Sequence, residues 1–129
     1  MKTQISISES EWVVMKILWD DSPRTLPDIL NSLKHTSWSQ TTIQTYLARL
    51  VKKGALTTQR QGKGYLYSPT ISESDCQLIE SKSFLNRIYN GSLSQMVMGF
   101  AKSGNLSAEE LGALKKIIQE QEDSHADRR

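Results

Sequence analysis

The stretch Trp38 to Leu56, WSQTTIQTYLARLVKKGAL, carries two unlike faces and decides the fold of the chain. Its apolar residues recur at i, i+3, i+4, i+7 and i+8, the spacing that forms a stripe along one side of an α-helix. These residues are Ile43, Tyr46, Leu47, Leu50 and Val51. The sequence therefore predicts a helix that turns this side toward a core.

The other side of the predicted helix has short polar side chains near its start, cations near its end and no acid. Its members are Thr41, Thr42, Gln44, Thr45, Ala48, Arg49, Lys52 and Lys53. A solvated helix face usually mixes Glu with Lys, and this one does not. Ser39 as N-cap and Gly54 as C-terminal stop predict the two ends of the helix.

Two helices precede this one and a hairpin follows it. Ser8, with Glu11 three residues later, predicts a capping box at the start of the first helix, and Thr25 opens the second. Residues 56–60 and 65–68 read as short strands around a basic turn. Three helices followed by a hairpin is the order of a winged helix-turn-helix domain. The predicted fold class is thus mostly α with a small β-hairpin wing.

Charge is distributed unevenly along a chain of 129 residues with a net charge of +2. Up to Thr70 there are nine Lys or Arg residues against five Asp or Glu residues, and no acid occurs between Asp28 and Glu73. One-sided charge of this kind favours a polyanionic partner. A random gap in acids is the alternative, and charge by itself does not exclude it.

A helix that enters the DNA major groove N-terminus first brings the side chains of its first two turns to the base edges. Thr allows close approach, a hydrogen bond and a methyl contact with thymine, so Thr42 and Thr45 are the predicted base readers. Cations further along the helix and on the hairpin are predicted to contact phosphates. The predicted DNA-binding residues are Thr41, Thr42, Thr45, Arg49, Lys52, Lys53, Arg60 and Lys63.

After Pro69 the sequence becomes more acidic and again helical, with three apolar stripes that are too few to form a rich core alone. We predict a DNA-binding domain at 1–70 and a helical dimerisation domain at 71–129 that ends in a frayed polar tail. Packing of these helices on their own winged domain is the alternative. The predicted dimerisation residues are Leu78, Leu85, Tyr89, Leu93, Met96, Val97, Phe100, Leu111, Leu114 and Ile118.

Catalytic and metal-binding patterns find little support. His35 and His125 lie far apart in sequence, and the hairpin glycines do not form a phosphate loop before a helix. The single cysteine, Cys76, allows neither an intrachain disulfide nor a thiolate metal cluster of its own. We therefore expect no enzyme activity, no cofactor and no metal.

Membrane and export signals are not visible in the sequence either. No run of about 18 apolar residues occurs, and the start MKTQISISESEW lacks the apolar segment of a secretory signal. We expect a cytoplasmic protein without membrane binding of its own.

Several segments, taken together, resemble one known family. The segments ESEWVVMKILW, WSQTTIQTYLARLVKKGAL, YSP, ESD, SFLNRIYNGSL and LSAEEL look like the successive landmarks of BlaI/MecI-type penicillinase repressors, over about residues 5–118. The resemblance implies a cytoplasmic homodimer whose winged helices bind palindromic double-stranded operator DNA and whose C-terminal helices interlock. It also implies, as in the antibiotic-responsive members, a membrane β-lactam sensor that triggers cleavage within the dimer domain.

The chain departs from the family pattern at two places. Where the family commonly has Pro-Lys near the start of the recognition helix, this chain has Gln40-Thr41. Where antibiotic-responsive members have Asn-Phe at the cleaved bond, it has Gly99-Phe100, which is the candidate cleavage site. The paired C-terminal cysteines of the copper-responsive relatives have no counterpart after Cys76.

The favoured hypothesis is a dimeric transcriptional repressor of β-lactam resistance-type genes, inactivated by proteolysis in its dimerisation domain. One alternative is a winged-helix regulator that responds to a metal or a small ligand. The other is a helical protein-interaction module whose cationic face binds an acidic protein. The Thr-rich start of the third helix and the acid-free span favour DNA.

Overall fold

The computed structural model describes residues 5–127, and within them the chain forms six helices and three short strands. In chain order these are α1 Glu9–Asp20, β1 Arg24–Thr25, α2 Leu26–Ser32, α3 Gln40–Lys53, β2 Leu56–Gln61, β3 Gly64–Pro69, α4 Glu73–Tyr89, α5 Leu93–Lys102 and α6 Ala108–Asp127.

Capping side chains set the ends of the first three helices. The Ser8 hydroxyl accepts from the Glu11 backbone N–H at 3.2 Å, and the Glu11 carboxylate accepts from the Ser8 N–H at 3.0 Å, which completes the predicted capping box. The Thr25 hydroxyl caps α2 by accepting from the Asp28 N–H, and the Ser39 hydroxyl caps α3 by accepting from the Thr42 N–H. Gly54 ends α3 at φ 86°, a left-handed conformation that glycine adopts without a steric penalty.

The hairpin is antiparallel, with Leu56 opposite Pro69 at its base and Gln61 opposite Gly64 at its tip. β1 pairs with the outer side of β3, so the strand order is β1-β3-β2. The predicted helices and hairpin are confirmed, whereas the third strand was not predicted. The arrangement of α1 to β3 is a winged helix-turn-helix fold.

The core of this fold forms where α1, α2 and α3 turn their apolar sides toward one another, closed by the base of the hairpin. Trp12 and Trp19 of α1 meet edge to face at 5.3 Å beside this core. The buried apolar residues are Ile7, Val14, Met15, Leu18, Ile29, Leu33, Ile43, Leu47, Leu50, Ala55, Leu56 and Cys76.

The first half of α4 is attached to the winged fold. Cys76 is fully buried in its core, and Glu73 pairs with Lys16 of α1 at 2.7 Å. The Glu80 carboxylate accepts from the Ile7 backbone N–H at 3.2 Å. Backbone contacts divide the chain into two units between residues 83 and 84, so this half of α4 belongs to the first unit. The predicted boundary after residue 70 lies N-terminal to that division.

The second unit, described from Phe84 to residue 127, contains the end of α4 together with α5 and α6. Phe84 lies 6.2 Å from the Tyr89 ring, and the Arg87 guanidinium lies 5.8 Å from the Phe84 ring. α5 has no buried residue. Helix α6 extends to Asp127, and the last two residues of the predicted frayed tail lie outside the described residues.

One charged side chain, Glu11, lies in the core of the winged fold with 1% of its surface exposed. Its carboxylate accepts from the Lys53 ammonium at 2.5 Å as well as from the Ser8 N–H. Burial by itself raises the pKa of Glu11, but the hydrogen bonds from Lys53 and Ser8 and the charge of Lys53 lower it. The net pKa lies below the ordinary value of 4.5.

This ion pair gives the fold a pH-dependent part of its stability. The pKa of Glu11 is lower in the folded than in the unfolded chain. The stabilisation by this ion pair is therefore fully present at pH values above the pKa of Glu11 in the unfolded chain. It is lost as pH falls through the pKa of Glu11 in the folded chain. We expect Glu11→Gln to lower the free energy of unfolding by about 1–2 kcal/mol at about pH 6, since Lys53 is partly solvated. The deficit should shrink below about pH 4.

Urea denaturation at about pH 6 and below about pH 4 measures the loss in free energy of unfolding that Glu11→Gln causes at each pH. Glu9→Gln is the matched control, because it removes an exposed carboxylate from the same helical turn. A deficit for Glu11→Gln that is the same at both pH values would contradict this account.

A second prediction concerns where the winged fold ends. A fragment that stops at Ser83 keeps Cys76 and Ile71 against the core, whereas one that stops at Thr70 loses both. The fragment that stops at Thr70 also loses the hydrogen bond from the Trp19 indole N–H to the Ile71 carbonyl, which is 2.9 Å long. We expect the shorter fragment to unfold with a free energy lower on the order of 3 kcal/mol. Equal urea midpoints for the two fragments would contradict it.

Candidate nucleic-acid interface

The third helix presents an exposed side without acidic residues, the outer face of α3. It consists of Thr41, Gln44, Thr45, Ala48, Arg49 and Lys52. On the opposite side of α3, Ile43, Leu47 and Leu50 are 2%, 1% and 0% exposed. Since successive residues are rotated by about 100°, burial of these three forces the outer face into solvent.

The turn that leads into α3 is held by local contacts. The Thr36 hydroxyl donates to the Leu33 carbonyl at 2.7 Å and accepts from the Trp38 N–H at 3.3 Å. The Trp38 ring meets Tyr46 of α3 edge to face, with ring centres 5.1 Å apart. These contacts connect the end of α2 to the first two turns of α3, where the predicted base readers lie.

The predicted base readers occupy different environments. The Thr45 side chain is exposed, and its hydroxyl donates to the Thr41 carbonyl at 3.0 Å, which leaves its methyl group and oxygen lone pairs available. Thr42 is half-buried, its backbone N–H donates to the Ser39 hydroxyl at 3.1 Å, and its own hydroxyl accepts from Ser39 at 3.0 Å. The structure places Thr41 and Thr45 on the outer face, and Thr42 at its edge as part of the helix cap.

The predicted cations also divide into two groups. Arg49 and Lys52 on α3 and Arg60 and Lys63 on the hairpin are exposed, and none of them pairs with a carboxylate in the part of the chain that the structure describes. Lys53 differs, because its ammonium is bonded to buried Glu11. Four positive groups thus surround an acid-free surface formed by α3 and the wing.

The wing has an aromatic residue that the sequence reasoning did not select. Tyr65 is 46% exposed and lies directly opposite Arg60 in the hairpin register. The Arg60 guanidinium is 5.8 Å from the centre of the Tyr65 ring, within the range of a cation–π contact. The sequence could have indicated this contact, because pairing of the two predicted strands places the Arg60 and Tyr65 side chains on the same face of the hairpin.

The predicted dimerisation residues fall into exposed and partly buried sets. Leu78, Leu93, Phe100, Leu111 and Ile118 are 43–57% exposed, and Leu85, Tyr89, Met96, Val97 and Leu114 are partly buried. The predicted cleavage bond, Gly99-Phe100, lies inside α5 with both residues exposed.

Within residues 5–127 no group of three or more His, Cys, Asp or Glu side chains is arranged to hold a metal ion. None of the helices in this range has both the length and the apolar character needed to cross a bilayer.

Comparison with known proteins identifies relatives along most of the chain. The penicillinase repressor of Bacillus licheniformis is 45% identical over 121 residues, which cover 93% of this chain and 94% of the relative. The methicillin resistance regulatory protein MecI of Staphylococcus aureus is 33% identical over 113 residues, which cover 87% and 92%.

Two solved structures match the winged part. The solution structure of the DNA-binding domain of the repressor BlaI is 43% identical, with a TM-score of 0.53 over 58% of this chain and 93% of that one. The monomeric form of Bacillus licheniformis BlaI, in complex with the blaP half-operator, is 45% identical, with a TM-score of 0.50 and the same coverage. These matches confirm the predicted winged helix fold.

The family model of the penicillinase repressor matches residues 7–120. It confirms the predicted resemblance and, since this is a family of repressors, the prediction that the chain is not an enzyme. The chain therefore belongs to the penicillinase repressor family.

Proposed function

We propose that this chain is a dimeric repressor that binds a palindromic DNA operator and controls β-lactam resistance-type genes. The observation that carries the proposal is the outer face of α3, which is exposed, free of acid and flanked by wing cations that pair with no carboxylate within residues 5–127. The B. licheniformis relative, which is bound to a half-operator in its structure, supports DNA as the polyanion.

The outer face has suitable dimensions and chemistry for the DNA major groove, which is about 12 Å wide and admits an α-helix. Thr45, near the middle of α3, and Gln44 beside it offer a hydroxyl, a methyl group and an amide to base edges. Arg49 and Lys52 follow one and two turns later, where a helix leaves the groove and passes phosphates. Arg60 and Lys63 would contact the neighbouring backbone.

A dimer is proposed because the second unit exposes many large apolar side chains. Leu93, Ile117 and Ile118 are 57%, 55% and 56% exposed, and α5 buries none of its residues. Exposed apolar surface of this extent favours association, and a two-fold dimer matches two half-sites of a palindrome. The predicted dimerisation residues on α4, α5 and α6 are the proposed interface.

If two linked winged domains bind one DNA duplex, the binding constant should depend strongly on salt concentration. Fluorescence anisotropy is measured with the duplex that the purified chain enriches most from a randomised pool, and with a random-sequence duplex of the same length. We expect the logarithm of the binding constant to fall with the logarithm of salt concentration by a slope of roughly six or more, because two subunits each neutralise several phosphates. A slope near zero would contradict the proposal.

Two substitutions separate base reading from phosphate contact. Thr45→Ala should weaken the selected duplex by on the order of 1 kcal/mol or more and leave the random duplex nearly unchanged. Lys52→Met should weaken both duplexes alike. Equal loss on both duplexes from Thr45→Ala would remove this residue from base readout.

The proposed signal is cleavage of the Gly99-Phe100 bond, which separates the two ends of α5. A protease needs extended backbone, and the bond lies within a helix, so α5 has to open locally before it is cut. Gly99 lowers the cost of opening by roughly 1 kcal/mol relative to Ala. Division of α5 would weaken the dimer and thereby the affinity for a palindrome.

Stabilising α5 should therefore slow cleavage. Apart from the backbone of α5 itself and the two neighbouring residues, a Cβ added at Gly99 meets no atom within 4 Å, so Gly99→Ala fits without a clash. Helix propensity then predicts about fivefold less open α5 and a correspondingly slower cut. Intact-mass spectrometry of the repressor from cells exposed to a β-lactam measures the rate.

Gly112→Ala is the matched control, since Gly112 lies in α6 and its added Cβ also meets no atom within 4 Å. It should leave the rate unchanged. Induction of the target gene while the chain stays intact would refute the cleavage model for this protein.

A further inference from the structure

Lys53 is adjacent to Lys52 at the C-terminal end of α3 but has a different environment. The Lys53 ammonium donates to the Glu11 carboxylate at 2.5 Å, with 34% of its side chain exposed. Lys52 is exposed and forms no ion pair with the described carboxylates. The two lysines therefore differ in what their charges can contact.

The position of Glu11 is fixed independently of Lys53. The capping box holds its backbone and its carboxylate at the first turn of α1, and its side chain is 2% exposed. Glu11 also occupies the buried side of α1, on the same stripe as Val14, Met15 and Leu18. The Lys53 ammonium thus bonds to an acceptor that contacts within α1 hold in place.

The far end of α3 is restrained from the sheet as well. The Thr70 backbone N–H donates to the Ala55 carbonyl at 2.9 Å, and the Thr70 hydroxyl donates to the Gly54 carbonyl. Ala55 is fully buried. The C-terminal end of α3 is therefore held by α1 on one side and by the base of the hairpin on the other.

A small change in the angle of α3 at Lys53 displaces the base-reading residue Thr45 by a larger distance. Eight residues separate Thr45 from Lys53, about 12 Å along the helix axis. A tilt of about 10° at Lys53 would shift Thr45 by about 2 Å, more than a hydrogen bond to a base tolerates.

Withdrawal of Lys53 to a phosphate would leave the buried Glu11 carboxylate without its cation. An unpaired charge in a core is strongly unfavourable, so the phosphate contact would be offset by this loss. Among the residues that the structure describes, Lys52 has no such competing partner.

We propose that Lys53 is a positioning residue, which through its ion pair with Glu11 sets the angle of α3 in the DNA groove and does not contact phosphate. This inference rests on the proposed function. It assigns the two adjacent lysines separate tasks, in which Lys52 contributes to affinity for any DNA and Lys53 contributes to discrimination between sequences.

The test compares full-length Lys53→Met and Lys52→Met by anisotropy over a range of salt concentrations, on the selected and the random duplex. For Lys52→Met we expect the salt slope to fall by roughly two per dimer, because two phosphate contacts are lost, while the ratio of the two affinities stays constant. For Lys53→Met we expect an unchanged slope and a ratio reduced by at least about fivefold. Active protein is titrated in every sample, so that unfolded chains do not enter the ratio.

Two more variants separate positioning from a contact or a purely structural role. Lys53→Arg keeps the ion pair and should restore the ratio. Glu11→Gln keeps every lysine and should lower the ratio as Lys53→Met does, although Glu11 is buried and cannot touch DNA. A reduced salt slope for Lys53→Met with a constant ratio would overturn the proposal, because it would show a phosphate contact. A constant slope together with a constant ratio would overturn it as well.

The unsubstituted chain separates this inference from the proposed function. If it enriches no duplex from the pool and binds with no salt dependence, the proposed function fails, and the positioning role fails with it. If it binds the selected duplex and the variants behave otherwise than stated, only the positioning role fails.

Discussion

Burial of one side of α3 is the constraint on which the rest of the winged fold depends. Ile43, Leu47 and Leu50 lie in the core, each at most 2% exposed, and this fixes the rotation of the helix about its own axis. Because the rotation is fixed, Thr45 and Lys52 must face away from the protein. Core packing therefore decides which side chains form the outer face, whereas the tilt of the helix depends on contacts at its ends.

The wing is coupled to the same helix through a very short connection. Gly54 ends α3 and Ala55 is buried, so β2 begins at Leu56 with no free loop in which to move. β1 pairs with β3 from the other side and connects the hairpin to the start of α2. The helix and the basic tip of the hairpin consequently form one surface with fixed spacing, which suits a partner of regular geometry such as duplex DNA.

The sequence predicted those parts of the fold that depend on local periodicity. The stripe of α3, its caps and the hairpin around Gly62 involve residues close in the chain, and each was correct. The two-residue strand β1 was not predictable in this manner, because its only stabilisation is the pairing of Arg24 and Thr25 with residues about forty positions later. Local sequence patterns do not indicate which distant strand a short segment pairs with.

The site was predictable to a similar extent. Cations and threonines on α3 were visible from the helical period, but their environments depended on distant residues. The contact of Lys53 with Glu11 spans 42 positions. One signal was present in the sequence: the stripe of α1 places Glu11 with Val14 and Leu18, and an acid at a core position needs a cation from elsewhere in the fold. Thr42 likewise differs from Thr45 because of one hydroxyl contact with Ser39.

Helical geometry explains how neighbouring lysines reach opposite environments and what this does to the charge of the surface. Relative to Ile43 at the centre of the core side, Lys52 is rotated by about 180°, whereas Lys53 is rotated by about 80° toward the flank beside Tyr46. Glu11, the carboxylate that pairs with α3 in the described residues, meets this flank and not the outer face. Its charge is neutralised there by Lys53, so a buried acid close to the recognition helix subtracts little from the positive potential around Arg49 and Lys52. The ion pair that orients the helix thus also prevents the buried carboxylate from lowering the positive potential of the outer face.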